Sequence, residues 1–178
     1  MATSAHSIPL EATLPHVLEI DQTAWLRQVE PTDVFQPFDR SIGRYITWAA
    51  LSIRNPRRQP IDVLTEYCLH TLRGRYMIVA EGQQAGYLGI SRGTKRDVAG
   101  VAYFVSPAAR GKNLASRALR AVTQLEVPEI TAWELTIADS NKASIKVAEE
   151  CGFLATDAYI NDGVLRLKER IFRKEIGI

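Results

Sequence analysis

The sequence predicts one α/β (α+β) domain across all 178 residues, a sheet with helices on both faces. Three patterns predict it. Apolar residues recur at helical spacing between Phe38 and Leu72. Strand-like runs separated by turn residues follow from Tyr76 to Val105. The remainder alternates strand, helix, strand and helix and closes on a hairpin.

Residues 1–14 are small and polar and are expected to be loosely held. His16 to Ile20 reads as a short strand. Asp21 is placed to cap a helix that reaches about Glu30, where Pro31 ends it. From Phe38 to Ile53, the apolar stripe Ile42, Tyr45, Ile46, Ala49, Ala50 and Ile53 predicts a helix, broken by Asn55-Pro56. A second helix is predicted from Pro60 to Leu72, with Ile61, Leu64, Cys68 and Leu72 on one side. Tyr76–Ala80 and Ala85–Ile90 are strands on either side of a turn at Glu81–Gln84, and Val98–Val105 is apolar enough to be central.

Beyond it, Leu114, Ala118, Ala121, Val122 and Leu125 mark the buried face of a helix whose outer face carries Arg117, Arg120 and Gln124. Trp133–Ile137 is a strand. Asp139 or Ser140 caps the next helix, with Ser144, Val147, Ala148 and Cys151 inward and Gly152 at its left-handed end. Asn161-Asp162-Gly163 reads as the turn joining a strand near Phe153–Ile160 to one near Val164–Arg173.

Composition bounds the function. The chain is 46% hydrophobic and 24% charged, an ordinary globular balance, and its net charge of +2 is too mild to indicate nucleic acid by itself. Basic clusters at Arg54–Arg58, Arg92–Arg96 and Arg166–Lys174 read as solvated faces. The only cysteines, Cys68 and Cys151, fall in apolar helical patterns and read as buried free thiols. With no CxxC pair or His/Cys cluster, no metal is expected. No signal-peptide pattern opens the chain and no run is long enough to span a membrane, so a cytoplasmic protein is expected. Gly89-Ile90-Ser91-Arg92-Gly93 has the spacing of a nucleophile elbow. It leads into a loop and a strand instead of a helix, and no His follows His70, so that chemistry is excluded.

The functional signal lies between Val98 and Phe153. The loop Pro107–Ala115 leaves a strand and opens a helix. Such a loop presents a row of backbone N–H groups at the positive end of a helix dipole, an anion site suited to phosphates. Arg110 and Lys112 flank it, which points to a ligand with a phosphate chain.

Two motifs carry a resemblance. Arg110-Gly111-Lys112-Asn113-Leu114-Ala115 stands in the place of the pattern [QR]-x-x-G-x-[GA], with Asn113 at its glycine. Asn141-x-x-Ser144 continues to Val147-Ala148-Glu149 and ends at Gly152-Phe153. In these residues the chain resembles the GNAT superfamily of acetyl-CoA-dependent N-acetyltransferases, and within it the Rim-type group that acetylates ribosomal-protein N-termini. The resemblance implies a mixed, mostly antiparallel central sheet with a V-shaped splay between its two central strands.

It also implies roles. The pyrophosphate of acetyl-CoA would sit on the amides of Arg110, Gly111, Lys112, Asn113, Leu114 and Ala115. The pantetheine arm would pair with the backbone of Tyr103, Phe104 and Val105, and a backbone N–H near Val105 would stabilise the oxyanion. Asn141 would contact the pantetheine, Lys146 a CoA phosphate, and Ser144 the departing thiolate. Plainer readings stand beside these: a solvated loop for Arg110 and Lys112, helix capping for Asn141, close packing for Ser144, an i,i+4 pair with Glu150 for Lys146, and a core ring for Tyr103.

The chain departs from the family pattern at four places. Asn113 replaces the central loop glycine; Asn tolerates positive φ, so the turn is expected to survive, with a side chain crowding the phosphates. Gly100 stands where many relatives place a glutamate base, Ala148 where many place a tyrosine acid, and Thr156, beside Asp157, where Rim-type enzymes often carry a glutamate. The amine base is left among Glu134, Asp157 and a water chain starting from them.

The expected function is acetyl transfer from acetyl-CoA to a primary amine, on a protein N-terminus or a small molecule. The alternatives are a CoA-binding protein of the same fold without turnover and a toxin-type enzyme acting on aminoacyl-tRNA. The expected partner is an amine-bearing acceptor, with no membrane, and the chain a monomer or homodimer. The acceptor site is expected from the N-terminal helices and the final hairpin, with Phe35, Phe38, Arg44, Tyr45, Trp48 and Tyr159 as possible lining.

Overall fold

The computed structural model describes residues 13–30, 33, 74–162 and 167–177, with the side chains of Asn161, Asp162 and Leu167 excepted. The helices predicted over 38–53 and 60–72 lie outside these residues. The described chain runs β1 (Val17–Asp21), β2 (Ala24–Gln28), β3 (Arg75–Ala80), β4 (Gln83–Arg92), β5 (Val98–Val105), a 3-10 turn (Pro107–Ala109), α1 (Leu114–Thr123), β6 (Ala132–Ala138), α2 (Lys142–Glu150), β7 (Leu154–Asp162) and β8 (Leu167–Glu175). All eight strands form one sheet in the order β1-β2-β3-β4-β5-β6-β8-β7. Every neighbouring pair is antiparallel except β5 and β6, which run parallel.

Strand alternation divides the sheet into two faces. One carries Leu26, Tyr76, Ile78, Leu88, Ile90, Ala99, Val101, Trp133, Leu135, Ile137 and Phe172, which cluster with Leu114, Ala118, Leu119 and Val122 of α1 and Ala148 of α2. Both described helices therefore cover the same face. The opposite face carries Met77, Val98, Ala132 and Ile171, all buried, together with the buried carboxylate Glu134. Cys151 belongs to the helix-side core as a free thiol. It donates to the Ser116 carbonyl at 3.4 Å, and burial pushes its pKa up.

Three expectations need correction. Asp21 does not open a helix. Ala24 and Leu26 are fully buried while Trp25 and Arg27 are only half-buried, so the segment alternates with period two and pairs as β2 between β1 and β3. Asp21 instead closes the β1–β2 turn: its Oδ1 accepts from the Thr23 amide and hydroxyl, both at 2.8 Å. The N-cap of α2 is Asn141, whose Oδ1 accepts from the Ser144 amide at 3.2 Å, and neither Asp139 nor Ser140 holds that position. In the last hairpin, Asn161 and Asp162 lie inside the ladder, opposite Lys168 and Leu167, so the connection falls on residues 163–166, outside the described residues.

Two polar ties anchor α1 at its ends. Arg117 reaches the β1–β2 turn: its Nε donates to Asp21 Oδ2 at 2.7 Å, Nη2 contacts the same oxygen, and Nη2 donates to Thr23 Oγ1 at 3.0 Å. Arg120 donates to the Glu150 carbonyl at 3.0 Å, joining α1 to the end of α2.

The Arg117 hydrogen bond, followed by those from Thr23, lowers the Asp21 pKa from 3.8 to about 2. A carboxylate depressed by folding stabilises the fold above its unfolded pKa and loses that contribution as pH falls through the folded value. The melting temperature is therefore expected to fall between pH 3.8 and about 2 more steeply for the wild type than for Asp21→Asn. Equal slopes in a melting series would contradict this. Leu119 is 0% exposed at the centre of α1, and Leu119→Ala is expected to cost about 2–5 kcal/mol in denaturant unfolding.

Candidate functional site

The fork between β5 and β6 shapes the site. Their parallel ladder covers only Val98–Gly100 against Ala132–Glu134. Past Gly100, β5 continues beside β4 to Val105, while β6 continues beside β8 to Ala138. The β6-facing edge of the last five residues of β5 therefore pairs with no described strand. β4 presses closely on this end. A Cβ on Gly86 would lie 2.2 Å from the Phe104 oxygen, so only glycine permits the approach. The Ser106 amide donates to Ala85 O at 2.8 Å and completes the clamp.

The chain then turns through Pro107–Ala109 into the loop that opens α1. Gly111 has φ +80 and Asn113 φ +53, ψ +23, both left-handed. Asn113 thus adopts the conformation expected of it and serves as N-cap without a side-chain cap bond; its side chain is exposed. The Asn113 carbonyl takes the Arg117 amide at 3.0 Å. Among the described residues, none of the amides from Gly111 to Ser116 donates a hydrogen bond. These are six consecutive N–H groups at a helix N-terminus, a geometry suited to an anion. Leu114 contributes its amide alone, since its side chain is 3% exposed in the core.

The two flanking cations are engaged elsewhere. Lys112 Nζ pairs with Glu81 in the β3–β4 turn at 2.9 Å. Arg110 folds back over β5: its Nε donates to Val105 O at 3.1 Å, and its guanidinium lies 5.6 Å from the Phe104 ring centroid. Tyr103 and Val105 pack against the helix-side core, as the plainer reading of the Tyr103 ring held. Thr23, Gln84, Ser106, Ala109, Lys112 and Arg117 are among the residues around a polar cavity of about 120 Å³ under the loop.

Across the fork, Asn141 and Ser144 stand at the start of α2, both half-buried. Lys146 is 78% exposed and pairs with Glu150 at 3.8 Å. Tyr159 of β7 is held by Arg170, with Lys168 Nζ 3.8 Å from its ring centroid, and Arg170 Nε reaches Asp139 at 3.4 Å. Asp157 is exposed on β7, the outer strand, with β8 between it and β6.

Glu134 occupies the fork itself, opposite Gly100 and 3% exposed. Thr94 Oγ1 and Arg173 Nη2 donate to its Oε2 at 2.8 and 2.9 Å. Neither partner is apparent in the sequence. Thr94 lies in a short polar loop, and Arg173 is one of several basic residues along β8. Glu81 and Asp21, which brace the phosphate-type loop through Lys112 and Arg117, are also unmarked, since their pairing spans 31 and 96 residues.

Among the described residues no helix is long and apolar enough to cross a membrane. Comparison with curated protein sequences finds no match. Solved structures with the same fold include RimL, a ribosomal L7/L12 alpha-N-protein acetyltransferase in complex with coenzyme A (TM-score 0.65, 15% identity, covering 90% of this chain and 98% of that one). The Microcin C7 self-immunity acetyltransferase MccE, with acetyl-CoA and AMP, aligns with a TM-score of 0.66 at 14% identity over 92% and 98% of the two chains. YncA from Salmonella typhimurium, a putative acetyltransferase with acetyl-CoA, gives 0.59 at 19% identity over 88% and 95%. Residues 23–153, which include both loop motifs and the fork, match the Acetyltransferase (GNAT) family, and the chain belongs to that family.

Proposed function

We propose that this protein is an N-acetyltransferase that transfers the acetyl group of acetyl-CoA to a primary amine. The observation that carries the reading is the row of amides from Gly111 to Ser116, which donate to nothing among the described residues and lie at the end of β5. A pyrophosphate fits such a cradle, because consecutive N–H groups and a helix dipole stabilise negative charge without a bound cation. The β5 edge fits an extended amide-bearing arm, which pairs with it as an added strand would. Acetyl-CoA carries both groups, and it supplies the activated acetyl carbonyl. The solved relatives with coenzyme A or acetyl-CoA agree with this donor.

In this reading the amides of Gly111–Ala115 hold the pyrophosphate, with that of Arg110, which donates to Pro107 O at 3.3 Å, at the rim. Lys112 leaves Glu81 to join them. Tyr103, Phe104 and Val105 present backbone groups to the arm. Asn141 and Ser144 face the fork from α2, Ser144 near the sulfur that departs. Lys146, already paired with Glu150, stays outside the site. The acceptor class follows from chemistry and from one relative. A free amine is nucleophilic enough to attack a thioester directly, and RimL is described as an alpha-N-protein acetyltransferase. A protein or peptide N-terminus is therefore the first acceptor to try.

Calorimetry with acetyl-CoA tests the donor site. Wild-type protein is expected to bind in the micromolar range. Gly111→Val is expected to weaken binding at least about tenfold, because a β-branched residue resists φ +80. A Cβ there meets nothing within 4 Å, so the loss comes from strain in the loop backbone and not from a steric clash, and the melting temperature falls with it. Arg110→Ala and Asn141→Ala should each weaken binding. Wild-type protein that binds no acetyl-CoA would remove the reading.

A further inference from the structure

Glu134 is a buried carboxylate at the fork, on the sheet face opposite α1 and α2. A carboxylate is costly to bury unless it is paired, and Arg173 supplies the countercharge. The pairing is lopsided. Thr94 and Arg173 both donate to Oε2, and among the described residues nothing donates to Oε1. A purely structural Arg–carboxylate pair at this burial gains most by engaging both oxygens. The surrounding sheet also leaves room. Gly100, opposite Glu134, has no side chain, and Ala102, the next β5 residue on the same face, is exposed. Next to Glu134, β5 therefore brings only Gly100 and Ala102 to this face, with Phe104 two residues further on.

We propose that Glu134 receives the acceptor's ammonium through Oε1 and takes its proton, directly or through one water. This rests on the N-acetyltransferase reading above. An amine held as an ammonium has no lone pair, so it gives one proton to Glu134. Its nitrogen then forms the C–N bond to the acetyl carbonyl carbon as the C–S bond breaks, the bonding pair going to sulfur. The nitrogen's surplus proton passes to that sulfur, and Glu134 returns its own to solvent. Thr94 and Arg173 are positioning residues that hold Oε2 so that Oε1 faces the fork. The acceptor class is an amine that is cationic in solution, which aromatic amines and amides are not.

The test measures thiol release from acetyl-CoA with a panel of peptides bearing free N-termini and aliphatic primary amines, alongside calorimetry of acetyl-CoA binding. In Glu134→Gln, kcat is expected to fall about 100-fold or more, with acetyl-CoA affinity unchanged. Adding Gly100→Glu to that variant returns a carboxylate to the same strand pair. The new Cβ would meet the Arg92 oxygen, Gly93 Cα and Ser91 Oγ at 3.5 Å, ordinary contacts, so the side chain fits. A regain of about tenfold is expected, which a structural role for Glu134 would not produce. Should Glu134→Gln unfold because Arg173 is left unpaired, combining it with Arg173→Met removes both charges and gives the same readout. Wild-type kcat in a folded Glu134→Gln or in that double variant, or no regain with Gly100→Glu, overturns the proposal. Wild-type protein that binds acetyl-CoA but acetylates nothing in the panel overturns the N-acetyltransferase reading as well.

Discussion

The structure depends on the parting of β5 and β6 after a short parallel ladder, Val98–Gly100 against Ala132–Glu134. A sheet that stayed paired would have no opening, and its backbone groups would satisfy one another. Here each strand keeps its outer partner, β4 or β8, so the sheet remains continuous while a wedge opens at its centre. Past Gly100, no described strand pairs with β5 on its β6 side. The parting of the strands places the end of β5 and the start of α1 at the mouth of the wedge.

Packing keeps the wedge open. On the helix side, Trp133, Leu135 and Ile137 of β6 share one apolar cluster with Ala118, Leu119 and Val122 of α1 and Ala148 of α2. The start of α1 sits at the end of β5 because the intervening loop is short and doubles back through two left-handed residues, Gly111 and Asn113. Asp21 and Glu81 then tie Arg117 and Lys112 to the hairpin turns of the neighbouring strands. Those turns are themselves joined by the Glu81 amide donating to Thr23 O at 2.9 Å. The cradle of open amides is thus braced from outside by exposed ion pairs and from below by the core. Exposed ion pairs contribute little individually, so the core sets the loop's position and the pairs set where its cations rest.

The two faces of the sheet divide the chemistry. The helix-side face is apolar and holds the loop that suits phosphates. The other face carries the one buried acidic side chain among the described residues, Glu134, with Arg173 and Thr94 beside it. In the proposed N-acetyltransferase reading, the thioester donor calls for hydrogen-bond donors and the amine acceptor for a proton acceptor. A fork between two faces lets both be met at one point without placing like functions in competition.

Local signals made much of this legible in the sequence. The strands from Tyr76 to Val105, the helix face Leu114–Val122 and the strand at Trp133 follow from periodicity, because period 2 and period 3.6 are set by backbone geometry. The anion loop follows from Arg110–Ala115, and left-handed Asn113 from the tolerance of Asn for positive φ. The misread segment, Asp21–Gln28, shows the limit. Asp followed by apolar residues suits either a helix cap or a turn, and β2 is a strand because β1 and β3 offer it partners on both sides. Outside that segment, the element types of the described residues, the loop that opens α1 and the family motifs were legible because they depend on residues a few positions apart. That Lys112 rests on Glu81, and that Glu134 meets Gly100, Thr94 and Arg173 at the fork, came from the folded chain. Those pairings join residues far apart in the chain, and no local preference encodes them.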